Sequence, residues 1–391
     1  MSNANNEASQ LAEITPSCAT EPWVSVQVVQ HLAPGGIETM ALDLQYFSQD
    51  AKNSYIVSIE GTKEALIAKW PRLADRADRI ICLDKPSGLS WQTITRLTDI
   101  FKQLKPNVVH THHIGPLLYG GIAAKKAKVK CVVHTEHDAW HLQSAKRRFL
   151  AKMLLRVVKP VLVADAHIVA AEMVKQLKVP TPVVIQNGID TERFTPGDKA
   201  KARERFAMPA DAVIIGCAAR LIAVKGHKTL LAAMKSLPDN VHLVLAGQGE
   251  EEQALKNYVA ELQIKSKVHF LGNIDDMPSF YQALDVFCLP SFKEGFPLSP
   301  LEAQSAGVPV LASDTGGVKE TLCPSTGRLV GVGNVDHLSQ TLAQVVQQLC
   351  GSDAQSDPEK SLSASIRDFV AQNNDVRLMA SRYHQLSVTT K

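Results

Sequence analysis

Aromatic residues are scarce in this 391-residue chain, at 5% of its positions, and they are not interleaved with its basic residues. A nucleic-acid groove built on base stacking is therefore not expected. Neither sign of charge dominates: 42 Lys and Arg stand against 39 Asp and Glu, a formal +3, which calls for no polyanionic partner by itself. No apolar run reaches 18 residues. The most apolar long stretch, Val157 to Ala170, is broken by Lys159, Pro160, Asp165 and His167, so no membrane span is expected. Residues 1–22 lack a basic start and an apolar core, and they read as a disordered leader rather than a targeting segment. The seven cysteines (Cys18, Cys82, Cys131, Cys217, Cys288, Cys323, Cys350) are odd in number and never form a Cys-x-x-Cys pair. Several lie in strand-like runs, so they read as reduced thiols of a cytoplasmic protein. No Gly-x-Gly-x-x-Gly occurs, which removes the dinucleotide fingerprint.

What is present is hydrophobic content of 45%, enough for two cores in a chain of this length. It is laid out as short β-branched runs alternating with helix-length amphipathic segments. A first series runs through VSVQVVQ (24–30), SYIVSI (54–59), RIICL (79–83), VVHTH (108–112), CVVHTEH (131–137), VLVA (161–164) and PVVIQN (182–187). A second contains AVIIGCAAR (212–220), VHLVLAG (241–247), KVHFLG (267–272), VFCLP (286–290) and VPVLAS (308–313). Continuous apolar strands between helices are what parallel sheets covered on both faces require. The expected architecture is α/β, with doubly wound domains over 23–190 and 212–361, a polar linker over 191–211, and a final helix over 362–391. Ligands of such sheets bind beyond the carboxyl ends of the strands, so the polar residues there should line a cleft between the domains.

At those ends, Gly35 and Gly36 follow the first strand and precede a helix. They fit either a tight turn or a backbone that approaches a phosphate. Six of the 13 histidines fall between 110 and 141: His110, His112, His113, His134, His137 and His141. His110 and His112 share a strand face, as do His134 and Glu136. No carboxylate or cysteine accompanies them at a known ligand spacing, so no metal is expected and they read as polar groups facing the cleft. Between 145 and 159, Arg148, Lys152, Arg156 and Lys159 fall on one helical face, with Phe149, Leu150, Met153, Leu154 and Val157 on the other. That segment fits either a solvated basic face over a core or a helix lying on an anionic membrane.

In the second series, Arg220 and Lys225 lie five residues apart on a turn into a helix. They fit surface cations or a diphosphate site, with Arg as a fork and Lys as a point charge. Gly247 and Gly249 mark the next strand-to-helix junction. The most informative stretch is EGFPLSPLE, residues 294–302. Pro297 is expected in the first turn of a helix. Glu294 would then precede the helix, the Gly295 and Phe296 amides would stand at its start, and Glu302 would lie within it. Asp314-Thr315-Gly316-Gly317 repeats the device after another strand.

Glu294 and Glu302, separated by seven residues, resemble the E-x7-E motif of retaining glycosyltransferases of the GT-B fold. AARLIAVKG, LVLAGQGEE, VHFLG, DVFCLPS and AGVPVLASDTGGVKE resemble glycosyltransferase family 4 along the second domain. HLAPGGIE, VVHTHH, TEHD and QNGIDTERF are similar to its more variable first half and junction. The resemblance spans roughly residues 24–385 and implies two Rossmann-like domains facing across a cleft. It implies transfer of a hexosyl or N-acetylhexosaminyl group, with retention, from a nucleotide-diphosphate sugar that is UDP-linked by family frequency. Arg220 and Lys225 would bind the diphosphate, Glu302 the ribose, and Glu294 the sugar hydroxyls. Gly295, Phe296, Pro297 and Leu298 would line the sugar and phosphate site, with Gly35, Gly36, Gly247 and Gly249 bordering the nucleotide. His137 would approach the transferred sugar. Ala223 departs from the family, where a polar residue often stands. The acceptor expected is a glycan or polyprenyl-diphosphate-linked glycan of bacterial exopolysaccharide, capsule or lipopolysaccharide, reached at the inner face of the membrane through residues 145–159. No Asp-x-Asp occurs, so no metal and no cofactor are expected. A 2-epimerase or inverting transferase of the same architecture, or a non-catalytic carbohydrate-binding protein, stands as the alternative.

Overall fold

A computed structural model of the chain describes residues 22–351 and 357–389. All but the last residue of the leader expected over 1–22 lies outside the described residues. The first sheet holds β1 (Ser25–Val29), β2 (Ser54–Ser58), β3 (Ile80–Cys82), β4 (Val108–His112), β5 (Cys131–Glu136), β6 (Val161–Ala164) and β7 (Val183–Val184) in the order β3-β2-β1-β4-β5-β6-β7. The second holds β8 (Val213–Ala218), β9 (Val241–Ala246), β10 (Val268–Gly272), β11 (Val286–Leu289), β12 (Val310–Ser313) and β13 (Arg328–Val330) in the order β10-β9-β8-β11-β12-β13. Their pairings are parallel. The central strands are buried along their length because helices cover both faces, which is why they read as unbroken apolar runs. Strand order reverses between β1 and β4 and between β8 and β11, and the crevices at those two points are where such sheets bind ligands. β13 was not expected. It is three residues long and opens with Arg328, too short and too polar to stand out from a loop.

Between the sheets the polar stretch holds a helix, Lys199–Arg205, tied to the second domain by Arg203. The Arg203 guanidinium donates to Ala283 O at 3.1 Å and to Asp285 Oδ2 at 2.6 Å. The two halves also share a core. Ala166, Val169 and Met173 of the first pack in one cluster with Phe296, Leu298, Leu301, Val318 and Leu322 of the second. Glu320 of the second half caps the helix His167–Leu177 of the first: its carboxylate accepts from His167 N at 2.9 Å, Ile168 N at 3.1 Å and Gln186 Nε2 at 3.1 Å. Those amides are the orphan donors of a helix start, and a carboxylate there also meets the positive end of the helix dipole.

The single C-terminal helix expected over 362–391 is two helices, Asp357–Asn373 and Val376–Thr389. Asn374 and Asp375 break them, although neither Pro nor Gly is present. Asn374 Nδ2 donates to Asn187 O at 3.0 Å, and Ile189 pairs with Asp375 in a parallel bridge. The second helix packs on the first domain, where Val376, Met379, Ala380 and Tyr383 join Met40, Leu44, Val108 and Val133. The first stays with the second domain, against the helix Ser299–Ser305. Cys131, Cys217, Cys288 and Cys323 are buried free thiols and Cys82 is a partly buried one.

Candidate active site

The loop after β8 carries Arg220, which is exposed, and then a single turn, Ala223–Lys225. Gly247 and Gly249 lie beneath this loop. A Cβ on Gly247 would stand 2.2 Å from Ala219 O, and one on Gly249 2.3 Å from Leu221 O. Their role in the structure is thus to let the loop after β9 pass under the loop that presents Arg220. Lys225 Nζ donates to Glu294 Oε1 at 2.7 Å, and Ser291 Oγ donates to the same oxygen at 2.6 Å. The cation and the first carboxylate of E-x7-E, remote in sequence, therefore form one ion pair. Glu294 is 8% exposed.

Pro297 precedes the helix instead of starting it. The helix is Ser299–Ser305, Leu298 is its N-cap, and Pro300 occupies its first turn. Two prolines three residues apart fit the same rule, and the later one marks the start. Glu302 lies within the helix, as expected, but in its first turn because the helix starts later, and it accepts from Tyr281 Oη at 2.6 Å. Burial raises Glu302 above the ordinary carboxyl range, partly offset by that hydroxyl. Phe296 and Leu298 are buried in the shared core.

Gly295 touches the other domain. A Cβ there would stand 1.7 Å from His137 O, so only glycine allows this loop to meet the end of β5. Asn187 Nδ2 also donates to Phe296 O at 3.4 Å across the same junction. The His137 ring itself is occupied. Nε2 meets His112 Nδ1 at 3.1 Å, and Nδ1 meets Asp165 Oδ2 at 3.1 Å. Proton positions along this row follow from its end. Gln27 Oε1 only accepts, so His112 Nε2, 2.9 Å away, donates to it. His112 Nδ1 then accepts from His137 Nε2, and neutral His137 accepts at Nδ1 from a protonated Asp165. The titration directions agree. Burial, reinforced by His113, pushes His137 down to about 3. Burial lifts Asp165 well above the carboxylate range despite the Asn187 amide that donates to it. His137 is therefore a buried neutral ring, and it is the residue's carbonyl that meets Gly295 of the second domain.

Two further expectations change. His110 and His112 do share a strand face, with rings 4.1 Å apart, but they are core groups, 3% and 1% exposed, with His110 stacked near Tyr383. On the helix Ala145–Val158, Leu154 and Val158 enter the core while Phe149, Met153 and Val157 are exposed, so the apolar set divides between two faces. Arg148 turns inward to Leu142 O and Gln176. Gly35 caps the helix Gly36–Tyr46, and a Cβ on Gly36 would have nothing within 4 Å. No hydrogen bond or ion pair among the described residues joins Gly35 or Gly36 to Arg220, Lys225 or Glu294. Asp165, Asn187, Ser291 and Glu320 were not singled out from sequence. Each lies at a strand or helix end next to a named motif, which is the signal that was available.

The histidine-rich strand ends do bring a carboxylate into ligand range. Atoms of His113, Glu136 and His141 lie within 4.8 Å of one another. Burial would raise Glu136, but His113 and His134 more than offset it and hold the carboxyl below its ordinary range.

Two family models cover most of the chain: Glycosyltransferase Family 4 matches residues 34–193 and Glycosyl transferases group 1 matches residues 198–355. An Escherichia coli protein, UDP-Gal:alpha-D-GlcNAc-diphosphoundecaprenol alpha-1,3-galactosyltransferase, is 32% identical over 279 residues, covering 65% of this chain and 70% of that one. The chain belongs to the group 1 glycosyltransferases. The transferase is also similar to a GDP-mannose-dependent phosphatidylinositol monomannoside mannosyltransferase of Corynebacterium glutamicum, at 27% identity over 76% of this chain and 79% of that one. Among solved structures, Anabaena HepE in complex with UDP superposes with a TM-score of 0.79 at 19% identity, covering 93% of this chain and 99% of that one. The transferase has the GT-B fold, two Rossmann-like domains facing across a cleft. Among the described residues no helix is long and apolar enough to cross a membrane.

Proposed function

We propose that this transferase moves a hexosyl or N-acetylhexosaminyl group, with retention, from a UDP-sugar to a glycan or polyprenyl-diphosphate-linked acceptor in the assembly of a bacterial surface polysaccharide. The observation that carries the reading is the Lys225–Glu294 pair at the point where Gly295 meets His137 O. It sets a cation for a leaving diphosphate and a carboxylate for sugar hydroxyls at the domain junction. The donor class draws on the UDP-galactose named for the Escherichia coli relative and the UDP bound by HepE. The acceptor class draws on the diphosphoundecaprenol named for that relative.

In the proposed step the acceptor hydroxyl oxygen bonds to the anomeric carbon as the bond from that carbon to the diphosphate breaks. The hydroxyl proton passes to a phosphate oxygen on the same face, which preserves configuration. Arg220 and Lys225 stabilise the charge that develops on the diphosphate. Electrostatic preorganisation of this kind is usually the largest catalytic contribution, and it needs no metal at the diphosphate. Glu302 holds the ribose with the oxygen not taken by Tyr281. His137 positions the junction through the row from Gln27 to Asp165. The exposed stripe of Phe149, Met153 and Val157, beside Lys146, Arg147, Arg156 and Lys159, rests on the anionic inner face of the cytoplasmic membrane.

Calorimetric titration with UDP, GDP and ADP tests this reading on the wild type and on Lys225→Ala. UDP should bind, and the variant should lose about 10–150-fold in affinity, the worth of one charge-assisted hydrogen bond. Selective GDP binding would overturn the donor class, and binding of no nucleotide by folded protein would overturn the whole reading.

A further inference from the structure

Beyond β4 and β5, three side chains converge with polar atoms left over. His113 follows β4, Glu136 ends β5, and His141 sits in the single turn Trp140–Gln143. His113 Nδ1 lies 3.5 Å from Glu136 Oε2, and His141 Nε2 lies 3.7 Å from Glu136 Oε1. Glu136 is 2% exposed, yet its Oε2 has no hydrogen-bond partner, and neither has the buried Nε2 of His141. Two unsatisfied buried atoms facing one small space call for a shared partner, since a buried polar group left unpaired keeps its full desolvation penalty.

The atoms outside that space face other polar groups. His141 Nδ1 lies 3.2 Å from Asp138 Oδ1, and His113 Nε2 lies 3.8 Å from Asp138 Oδ2. Glu136 Oε1 also lies 3.2 Å from His134 Nε2, and His134 Nδ1 lies 3.0 Å from Thr111 Oγ1. A carboxylate behind each ligating imidazole, and a donor behind the ligating carboxylate, is the outer shell that fixes metal ligands in orientation.

We propose that His113, Glu136 and His141 bind a divalent transition-metal ion of the zinc class. In tetrahedral zinc sites the metal–ligand bonds are about 2.0–2.2 Å, so ligand atoms stand about 3.3–3.5 Å apart. The 3.5 Å between His113 Nδ1 and Glu136 Oε2 matches that spacing, and one ligand atom from each of the three residues lies within 4.8 Å of the others, a set that a small inward shift would close around an ion. Two imidazoles and one carboxylate suit zinc or cobalt, whereas magnesium and calcium prefer all-oxygen sets. Three protein ligands leave a fourth position for water or a substrate oxygen, next to the T-shaped contact between the His113 and His137 rings, 5.5 Å apart. All three ligands belong to the first domain, whereas Arg220 and Lys225 belong to the second. The proposal stands whether or not the transferase reading above is correct.

The test uses chelator-stripped full-length protein, titrated with zinc against a fluorescent competitor and separately with cobalt(II). One equivalent should bind, cobalt should give the visible bands of a tetrahedral nitrogen–oxygen site, and zinc should raise Tm. His141→Ala and His113→Asn should each lose stoichiometric binding. Asp138→Asn, which keeps all three ligands, should weaken it about 10–100-fold. His242→Ala removes a close histidine pair of the second domain, whose rings meet through nitrogens 3.0 Å apart, and should change nothing. Folding of each variant is checked by circular dichroism, and an unfolded His variant leaves Asp138→Asn to decide. Failure of the wild type to retain one equivalent would overturn the proposal in favour of a plain His113–Glu136 ion pair. Binding that survives in the folded ligand variants, or is lost in His242→Ala, would overturn it as well.

Discussion

Gly295 and Gly316 make a matched pair of steric probes, one between the domains and one within the second. A Cβ on Gly295 would stand 1.7 Å from His137 O, and a Cβ on Gly316 would stand 1.7 Å from Glu294 O. Carbon–oxygen contacts settle at about 3.3 Å or more, so Ala at either position requires a displacement of roughly 1.5 Å. Both obstacles are backbone, which cannot rotate away. In Gly316→Ala the displacement must be absorbed inside one packed domain, at a residue whose φ of 54° already disfavours Ala. The combined loss is about 3 kcal/mol, or roughly 6–12 °C in Tm at about 2–4 °C per kcal/mol. In Gly295→Ala the domains can instead move apart as bodies, so Tm should fall by under about 3 °C. The cleft geometry is then lost, and a misplacement of about 1 Å costs on the order of 100-fold in rate. Calorimetric melting, small-angle scattering with and without nucleotide, and slow hydrolysis of the nucleotide-sugar measure the three effects. Gly295→Ala turnover within threefold of wild type would refute the claim that this contact forms during catalysis. A Tm loss equal to that of Gly316→Ala would show that the second domain's loop, not the junction, yields.

His227 gives a pH signature. Both of its ring nitrogens are buried without partners, and burial followed by Lys225 depresses it to about 4. Because the folded value lies below the ordinary 6.5, its contribution is fully present above about 6.5 and is lost as pH falls toward 4, about 3 kcal/mol in all. Melting curves from pH 7 to 4 should therefore fall less steeply for His227→Met than for wild type, and parallel curves would contradict the assignment. Glu320→Ala removes the cap shared across the domains and should cost about 1–2 kcal/mol, seen as faster limited proteolysis near residue 167, and unchanged cleavage would count against it. Phe149→Ser with Met153→Ser should lower binding to anionic vesicles by at least about 100-fold, given about 1.5–3 kcal/mol per large apolar side chain buried, and equal flotation of variant and wild type would remove the membrane contact.

Twelve strands were legible because a parallel sheet covered on both faces forces unbroken apolar runs, and β13 was not because Arg328-Leu-Val is too short to show periodicity. The second-domain motifs were legible because each sits at a strand end, where sequence spacing and spatial proximity nearly coincide. The first-domain cluster was not. His113, Glu136 and His141 come from two neighbouring strands and a later turn, so their separations of 23 and 5 residues match no ligand spacing, and only the β4–β5 pairing brings them together. The break at Asn374 is set by tertiary partners, Asn187 and Ile189, rather than by a helix-breaking residue. The apolar stripe of the helix Ala145–Val158 was seen, but periodicity cannot say which half of a wide stripe meets the core.

The return of the chain at Asp375 bears on how acceptor specificity could be exchanged between relatives. Val376, Met379, Ala380 and Tyr383 supply one wall of a first-domain cluster, and Tyr383 Oη lies 3.0 Å from Thr135 Oγ1 on β5. A cut at the linker alone would give a chimera whose first half is sealed by a foreign helix. A swap that transplants the first half and residues 376–389 together, joined at the Ile189–Asp375 bridge, moves a module with its own lid and leaves the donor half intact.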